Sequence, residues 1–184
     1  MQPAPARAAK LDRAAIVRAA LDLLDEVGFE ALSTRTLAAA LGVKGPSLYW
    51  HFKSMRELFD HMAEAMLEAA LPAPEAMPGD WQAWLGAGAR GIRKVALSRR
   101  DGARVLAGAQ PTGASSISFP AMVARLEADG FSRDDARAAM MALGRYAVGW
   151  VLDEQIARRP PIASEADFEF GLQALLRGLE ARRR

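Results

Sequence analysis

Two short helix-forming stretches separated by a glycine-containing turn constrain this chain more than any other feature. The run TRTLAAALGVKGPSLYWHF, from Thr34 to Phe52, holds one stretch that stops at Gly42 and a second that opens on Gly45-Pro46. Glycine readily ends a helix, and proline fits a first helical turn because its missing N–H would have had no partner there. Two such short helices cannot bury a core alone. The pattern therefore predicts a helix-turn-helix unit, in which the first helix braces and the second lies in the major groove of DNA.

Helical signals continue along the whole chain, and strand signals are nearly absent. Apolar residues recur at three- and four-residue spacing between Asp12, a candidate N-cap, and Gly28, a candidate C-cap. Ser54 and Glu57 have the spacing of a capping box and predict a fourth helix that extends to about Leu71. The third helix is predicted over roughly Pro46 to His51, and later starts are predicted at Asp80, Ser98 to Asp101, Ser118, Ser132 and Ser164. The expected fold class is all-α, with about nine helices.

A proline-rich stretch divides the chain into two parts. Leu71 to Gly79 contains three prolines within nine residues, a composition typical of a linker or bend. We expect a disordered tail at residues 1–10, a three-helix DNA-binding head at 11–53, a connecting helix at 54–71, and a larger helical body for ligand binding and dimerisation at 72–184.

Composition excludes several classes of chemistry. The chain has no cysteine and only two histidines, His51 and His61, so cysteine nucleophiles and thiolate metal sites are excluded. No G-x-S-x-G, P-loop, G-x-G-x-x-G or H-E-x-x-H pattern occurs, and we expect no catalytic residues, no metal and no cofactor. No apolar run reaches the ~18 to 20 residues of a membrane span, and no secretory signal is recognisable. We expect a cytoplasmic protein that does not act at a membrane.

The charges around the predicted unit favour a nucleic-acid partner. Residues 31–56 contain no Asp or Glu but four fixed positive charges, at Arg35, Lys44, Lys53 and Arg56. Helical spacing leaves cations, hydroxyl groups and aromatic edges facing outward on the second helix. Such groups are suited to contacts with phosphates and with the DNA groove. They belong to Lys44, Ser47, Tyr49, Trp50, His51 and Lys53. On composition alone, Tyr49 and Trp50 could equally pack between helices.

The segment LSTRTLAAALGVKGPSLYWHFKSMREL resembles the DNA-binding head of the tetracycline-repressor family. Similar stretches follow in the body: ALSRRDGARV at 96–105, QPT at 110–112, GFS at 130–132 and FEFGLQALLRGLE at 168–180. The resemblance implies a ligand-responsive regulator, and the family expectation is repression. It also implies that Thr34 and Arg35 begin the bracing helix and contact DNA. It further implies that Lys53 lies near a phosphate and that five residues face the operator: Pro46, Ser47, Tyr49, Trp50 and His51.

Gly45 departs from the family, which has a long amide side chain that reads a base at this position. Glycine has no side chain with which to reach a base. We therefore expect an altered operator sequence, with more weight on Arg35, Lys44 and DNA shape.

The last two predicted helices carry small and apolar residues in register. Gly171 and Gly178 lie seven residues apart, on one helix face, and each costs ~1 kcal/mol relative to alanine. Close helix approach is the expected compensation. Two helices from each of two chains would form a four-helix bundle, which the resemblance also implies, and the alternative is packing within one chain. The residues predicted for a homodimer interface are Leu143, Ala147, Val151, Phe168, Gly171, Leu172, Leu175, Gly178 and Leu179.

A small-molecule effector is expected to bind in the body. In the family, tetracycline is held as a magnesium chelate by histidines and polar side chains. The matching positions here are mostly apolar: Leu71, Gly88, Ile92, Leu106, Ala109 and Met122, with Asp153 keeping an acid. We therefore expect a largely apolar effector other than magnesium–tetracycline. The predicted pocket comprises Trp84, Ile92, Val95, Leu106, Gln110, Met122, Arg145, Tyr146, Trp150 and Asp153.

The function predicted from these patterns is that of a homodimeric regulator released from a palindromic operator by its effector. Two alternatives stay open. Any single residue of the predicted pocket could be ordinary core, and the whole chain could be a dimeric helical small-molecule-binding protein with weak or altered DNA binding.

Overall fold

The computed structural model describes residues 12–70, 79–113, 118–156 and 164–183. Within these ranges the chain forms nine α-helices and no strand, in agreement with the all-α prediction. The predicted tail (1–10) and most of the proline-rich stretch (71–78) lie outside the described residues. No helix within the described ranges is both long and apolar enough to cross a bilayer. The helices are α1 Arg13–Val27, α2 Thr34–Ala40, α3 Gly45–Tyr49, α4 Met55–Ala70, α5 Trp81–Leu97, α6 Gly102–Leu106, α7 Phe119–Ala128, α8 Arg133–Ile156 and α9 Glu165–Glu180.

Local capping contacts explain most of the helix boundaries. The Asp12 carboxylate accepts from the backbone N–H of Ala15 at 2.7 Å and opens α1, and Gly28, with φ 79°, ends that helix. Ser164 and Asp167 form a reciprocal capping box at the start of α9. These side chains satisfy N–H groups that have no partner inside the helix. The third helix ends at Tyr49 rather than at the predicted His51.

The predicted capping box of α4 forms in a shifted version. The backbone N–H of Glu57 donates to the Ser54 hydroxyl at 3.1 Å, as expected. The Glu57 carboxylate, however, accepts from the N–H of Lys53 at 2.6 Å rather than from that of Ser54. Glu57 therefore fixes the residue that joins α3 to α4.

The corner between α5 and α6 uses two special backbone positions. Asp101 has φ 56°, in the left-handed region, and makes no side-chain cap to α6, which the sequence had led us to expect near this position. Its carboxylate instead accepts from the backbone N–H of Phe29 at 2.9 Å. At Gly102, an added Cβ would collide with the carbonyl oxygen of Ala96. Glycine is therefore required there by close backbone approach.

Two hydrophobic cores hold the helices together. The first core begins in α1–α4 and continues into α5, α6 and α8 through residues such as Ala96, Val105 and Val151. The second core lies among α5, α7, α8 and α9, with Trp84, Leu126 and Phe168 among its buried members, and Ile92 of α5 packs against both. The apolar interior thus runs without a break from the first helices into the rest of the chain.

Substituting Gly102 by alanine tests the close approach at the α5–α6 corner. Because the new Cβ would overlap the Ala96 carbonyl oxygen, we expect the free energy of unfolding to fall by ~1–3 kcal/mol, the usual cost of overpacking. The measurement is the urea midpoint followed by far-ultraviolet circular dichroism. Gly45→Ala is the matched control, since a Cβ there meets nothing within 4 Å. Equal midpoints for the two variants would contradict this account of the corner.

Candidate nucleic-acid interface and effector-binding body

The turn between α2 and α3 is built from short-range contacts. Ser33 and Thr36 form a reciprocal capping box that opens α2. At its other end Gly42 adopts φ 65°, and the N–H of Val43 donates to the carbonyl of Ala38 at 3.0 Å. This left-handed ending satisfies a helix carbonyl and turns the chain tightly into α3.

The third helix is held by one face and exposes the other. Leu48 and Phe52 are each 5% exposed and belong to the first core. Tyr49 is 58% exposed and Trp50 is 88% exposed, so packing between helices, the alternative considered above, is wrong for both. The remaining predicted contact residues of this segment are exposed or half-buried: Lys44, Gly45, Pro46, Ser47, His51 and Lys53.

Three cations around this surface are available to an external anion. Among the described residues, the side chains of Arg35, Lys44 and Lys53 form no ion pair, and all three are exposed. Arg56, in contrast, pairs with Asp60 at 2.9 Å. Thr34 is half-buried at the start of α2, next to Arg35. The positions left uncompensated are those predicted to meet DNA phosphates.

Arg13 of α1 contacts the residues that follow α3. The Arg13 guanidinium lies 5.6 Å from the centroid of the Phe52 ring and 3.8 Å from the Glu57 carboxylate. Because Glu57 also receives the N–H of Lys53, α1 and α4 both hold the segment that follows α3. Sequence reasoning missed Arg13, although its spacing from Ile16 places it on the face of α1 near the core.

Gly45 is not required by the fold. Its φ is not positive, and an added Cβ would meet nothing within 4 Å. A Cβ at this position would therefore fit without disturbing the backbone or a neighbour.

The predicted effector residues divide between the two cores and the surface. Leu106 is buried in the first core and Val95 packs against it, while Trp84 is buried in the second core and Met122 packs against it. Ile92 lies between the two groups. Gln110, Arg145 and Asp153 are exposed. The apolar members of the set are therefore internal and in two neighbouring groups, and the three polar members lie at the surface.

Two of the three aromatic members, Tyr146 and Trp150, pack around the Phe168 ring. Tyr146 stacks on the Phe168 ring at 5.2 Å, and its hydroxyl donates to the Phe168 carbonyl at 2.7 Å. Burial raises the pKa of the Tyr146 hydroxyl, and the Glu169 carboxylate raises it further. The indole N–H of Trp150 donates to Glu154 at 3.0 Å. Both polar edges thus have partners inside the chain.

An ion pair beside this cluster was missed from the sequence. Arg93 and Glu154 pair at 2.8 Å with side chains 19% and 11% exposed, and the guanidinium lies 5.1 Å from the Phe168 centroid. No pattern signals it, because the two residues are 61 positions apart. A pair this well buried is costly unless its geometry is good.

The loop after α6 is fastened to α4 by two acids one helical turn apart. Asp60 accepts from the N–H of Gln110 at 3.0 Å, and Glu64 accepts from the N–H of Thr112 at 2.7 Å. Arg56 donates to the carbonyl of Gly108. These three hydrogen bonds hold the loop against α4. The i, i+4 spacing of the two acids in the sequence indicates that they share one face of α4, but it does not indicate that the loop after α6 binds there.

Five of the nine predicted dimer residues are corrected by the structure. They are at most 3% exposed within the single chain, so they have no surface left for a partner. The close approach expected at Gly171 is also internal, because a Cβ there would collide with the Tyr146 hydroxyl. Leu175 and Leu179 are half-buried against the second core, and Gly178 is exposed. The five corrected residues are Leu143, Ala147, Val151, Phe168 and Leu172.

Comparison with known proteins agrees with both parts of the chain. Residues 16–62 match the family model described as bacterial regulatory proteins, tetR family, and residues 71–164 match the tetracyclin repressor-like C-terminal domain. The tetracycline repressor protein class C of Escherichia coli is 44% identical over 164 residues, which cover 87% of this chain and 70% of the relative. The class G protein of Vibrio anguillarum is 36% identical over 201 residues, which cover 93% and 94%.

Solved structures show the same similarity in three dimensions. A TetR variant from Acinetobacter baumannii AYE in complex with minocycline has a TM-score of 0.81 at 36% identity, covering 95% of this chain and 96% of the other. BioQ with its natural double-stranded DNA operator has a TM-score of 0.75 at 32% identity, covering 94% and 99%. These matches establish that the chain belongs to the TetR family of ligand-responsive, DNA-binding transcriptional repressors, which are not enzymes.

Proposed function

We propose that the chain acts as a homodimer that represses transcription from a palindromic operator and leaves it when a small, largely apolar effector binds. The observation that supports the DNA-binding part is the pair of opposite sides at α3: Leu48 is buried, Tyr49 is 58% exposed, and Trp50, directly after the helix, is 88% exposed. A helix fixed from behind presents its outer side chains to a groove without rearranging. In this proposal residues 11–53 form the head, 54–71 the connecting helix and 72–184 the body.

The proposed operator contacts follow the exposure of each side chain. Tyr49 and Trp50 supply aromatic edges, and Arg35, Lys44 and Lys53 supply charge to the phosphates. A two-fold dimer presents two heads to half-sites about one helical turn apart, ~34 Å. Thr34, Gly45, Pro46, Ser47 and His51 complete the proposed surface. Since the operator is genomic DNA, the proposed site of action is the bacterial cytoplasm.

The double variant Tyr49→Ala, Lys53→Ala tests this surface. We expect weaker binding to the operator, and a salt dependence shallower by about one phosphate contact per head. Fluorescence anisotropy with DNA selected from a random pool, measured at several salt concentrations, gives both quantities. Lys94→Ala is the control, because Lys94 is exposed on α5, outside the proposed contacts. Unchanged affinity and slope in the double variant would refute the proposed interface.

A face of α9 is proposed as the centre of the dimer interface. Phe170 is 79% exposed, and it lies in an open groove lined by Ala166, Glu169, Phe170, Gln173, Ala174 and Arg177. These residues follow helical spacing, with an acid towards one end and a cation at the other. The Glu169 carboxylate is already bound by the Arg90 guanidinium at 2.6 and 2.7 Å, so the proposed contact is apolar, with Phe170 of each copy against the same face of the other, as an isologous two-fold interface requires. Gly178 and the half-buried Leu175 and Leu179 border this face.

Phe170→Glu is expected to convert the dimer into a monomer. Phe170 is mostly exposed in the single chain, so the change leaves both cores intact, while the dimer loses ~1.5–3 kcal/mol of apolar burial per phenylalanine and gains two unpaired charges. Sedimentation velocity reports the change in mass. Leu97→Glu serves as the control, since Leu97 is 42% exposed but lies on α5. A dimeric Phe170→Glu protein would exclude this face.

The effector is proposed to bind among the internal apolar residues of the predicted set. The groups that would hold a magnesium chelate do not fit: Leu106 is buried and apolar, Asp153 is exposed, and Leu71 lies outside the described residues. Within residues 12–70, 79–113, 118–156 and 164–183, no three acids or histidines lie close enough to share a metal ion. The polar members Gln110, Arg145 and Asp153 are proposed to orient the ligand at the edge of the site.

Titration calorimetry with tetracycline, with and without magnesium, tests the proposed ligand class. We expect no magnesium-dependent heat of binding, because one exposed carboxylate is a poor ligand set for Mg²⁺. The class A TetR, whose structure contains 5a,6-anhydrotetracycline and magnesium, is the positive control. Tight binding that disappears when the magnesium is chelated would overturn the proposal.

One alternative function is kept because of Gly45. A chain without a base-reading side chain at this position could bind small molecules as a dimer and retain only weak DNA affinity. Uniformly weak retention of every DNA sequence in the selection experiment would favour that reading.

A further inference from the structure

A group of opposite charges joins the head to the body beside α4. On the head side lie the last turns of α1 and the turn that follows it. On the body side lies the corner between α5 and α6. We call this group the junction clamp, and it comprises Asp22, Asp25, Phe29 and Glu30 on the head and Arg99, Arg100, Asp101 and Arg104 on the corner.

One half of the junction clamp centres on Asp25. Arg99 forms ion pairs with both Asp25 and Asp22, and its pKa is raised by the hydrogen bond to Asp25. The backbone N–H of Arg100 donates to the other oxygen of Asp25 at 2.9 Å. The Arg100 guanidinium donates to the carbonyl of Glu26 at 2.8 Å. One carboxylate thus holds both the side chain and the backbone of the corner.

The other half follows the end of α1. Arg104 pairs with Glu30, and its guanidinium lies 4.4 Å from the centroid of the Phe29 ring. The N–H of Phe29 is bound by Asp101, the only non-glycine residue with positive φ among those described. A strained backbone position is therefore retained where the corner holds the head.

The junction clamp is open to dissolved ions. The side chains of Arg99, Asp25 and Arg104 are 31%, 38% and 32% exposed, and that of Glu30 is 83% exposed. Ion pairs at such exposure weaken as the screening length falls, from ~10 Å at 0.1 M salt to ~3 Å at 1 M. The other head–body contacts include the buried, apolar Met62 and Met66 of α4, which salt does not screen.

We propose that the junction clamp holds the head at a fixed orientation on the body and loosens as ionic strength rises. Part of the salt sensitivity of operator binding then arises inside the protein, in addition to the release of counterions from DNA. A head that is free to reorient has to be fixed again on binding, which lowers affinity. The proposal rests on the operator binding proposed above.

The effect of removing a negative charge on operator affinity distinguishes this proposal from simple electrostatic attraction to DNA. Removing a negative charge from the head raises its attraction to phosphate and, without a clamp, tightens binding. Asp25→Asn also removes the acid that holds the corner, so a clamp predicts weaker binding. Glu26→Gln is the matched control, because only the backbone carbonyl of Glu26 contacts the corner. The two variants have the same charge and neighbouring positions.

The first experiment measures operator affinity by anisotropy from about 0.05 to 0.5 M salt for wild type and both variants. We expect Asp25→Asn to bind at least about threefold more weakly than wild type at low salt and to converge with it at high salt, where screening has already loosened the wild-type clamp. Glu26→Gln is expected to bind as tightly as wild type or more tightly. The proposal would be overturned if Asp25→Asn bound the operator more tightly than wild type at low salt, or if the two affinities fell by the same factor as salt was raised.

The second experiment needs no DNA. The chain contains no cysteine, so Ala39→Cys on α2 and Lys94→Cys on α5, both at exposed positions, allow spin labels to report the head-to-body distance, in dimers diluted with unlabelled chain. We expect one narrow distribution for the wild type and Glu26→Gln, and a broad one for Asp25→Asn and for the wild type in high salt. Identical distance distributions in Asp25→Asn and wild type would refute the junction clamp. A broader distribution in Asp25→Asn would support it. Both outcomes hold even if the protein does not bind the operator.

Discussion

The burial of Leu48 and Phe52 is the contact on which the rest of this molecule depends. A five-residue helix is far too short to be stable in water, so α3 exists only because these side chains reach the first core. Their inward direction also sets the outward direction of Tyr49, the last residue of α3, and of Trp50, which follows it. Since the same core continues through α4 into α5 and α6, the recognition surface is positioned by the body as well as by its own helices.

The local elements of this fold could be predicted from the sequence because their causes are local. Asp12, Asp80 and Ser164 cap the helices that were predicted to begin at them, since the bond from each side chain reaches a residue only three positions along the chain. Exposure of Trp50 was harder to predict. An amphipathic aromatic residue fits both an interior and a binding surface, and only the packing of neighbouring helices distinguishes them.

Long-range pairing explains the errors and omissions. Helical spacing showed that Leu143, Val151 and Leu172 share apolar faces, but spacing does not reveal whether the facing helix belongs to the same chain. The three residues are fully used within one chain. The pairs Arg93–Glu154 and Arg99–Asp25 join residues 61 and 74 positions apart. Such contacts are set by the three-dimensional arrangement of helices, which no local pattern encodes.

The open space around Gly45 has a consequence for how the regulator and its binding sites can evolve. If no side chain reads the base pair opposite this position, operators in a genome can drift there without losing control by the repressor. A duplicated copy with a side chain here would place its Cβ in open space, and a side chain that reached the base would restrict that copy to a subset of those operators. Under that condition, one codon would separate a tolerant regulator from a selective one, and the two could come to govern different genes.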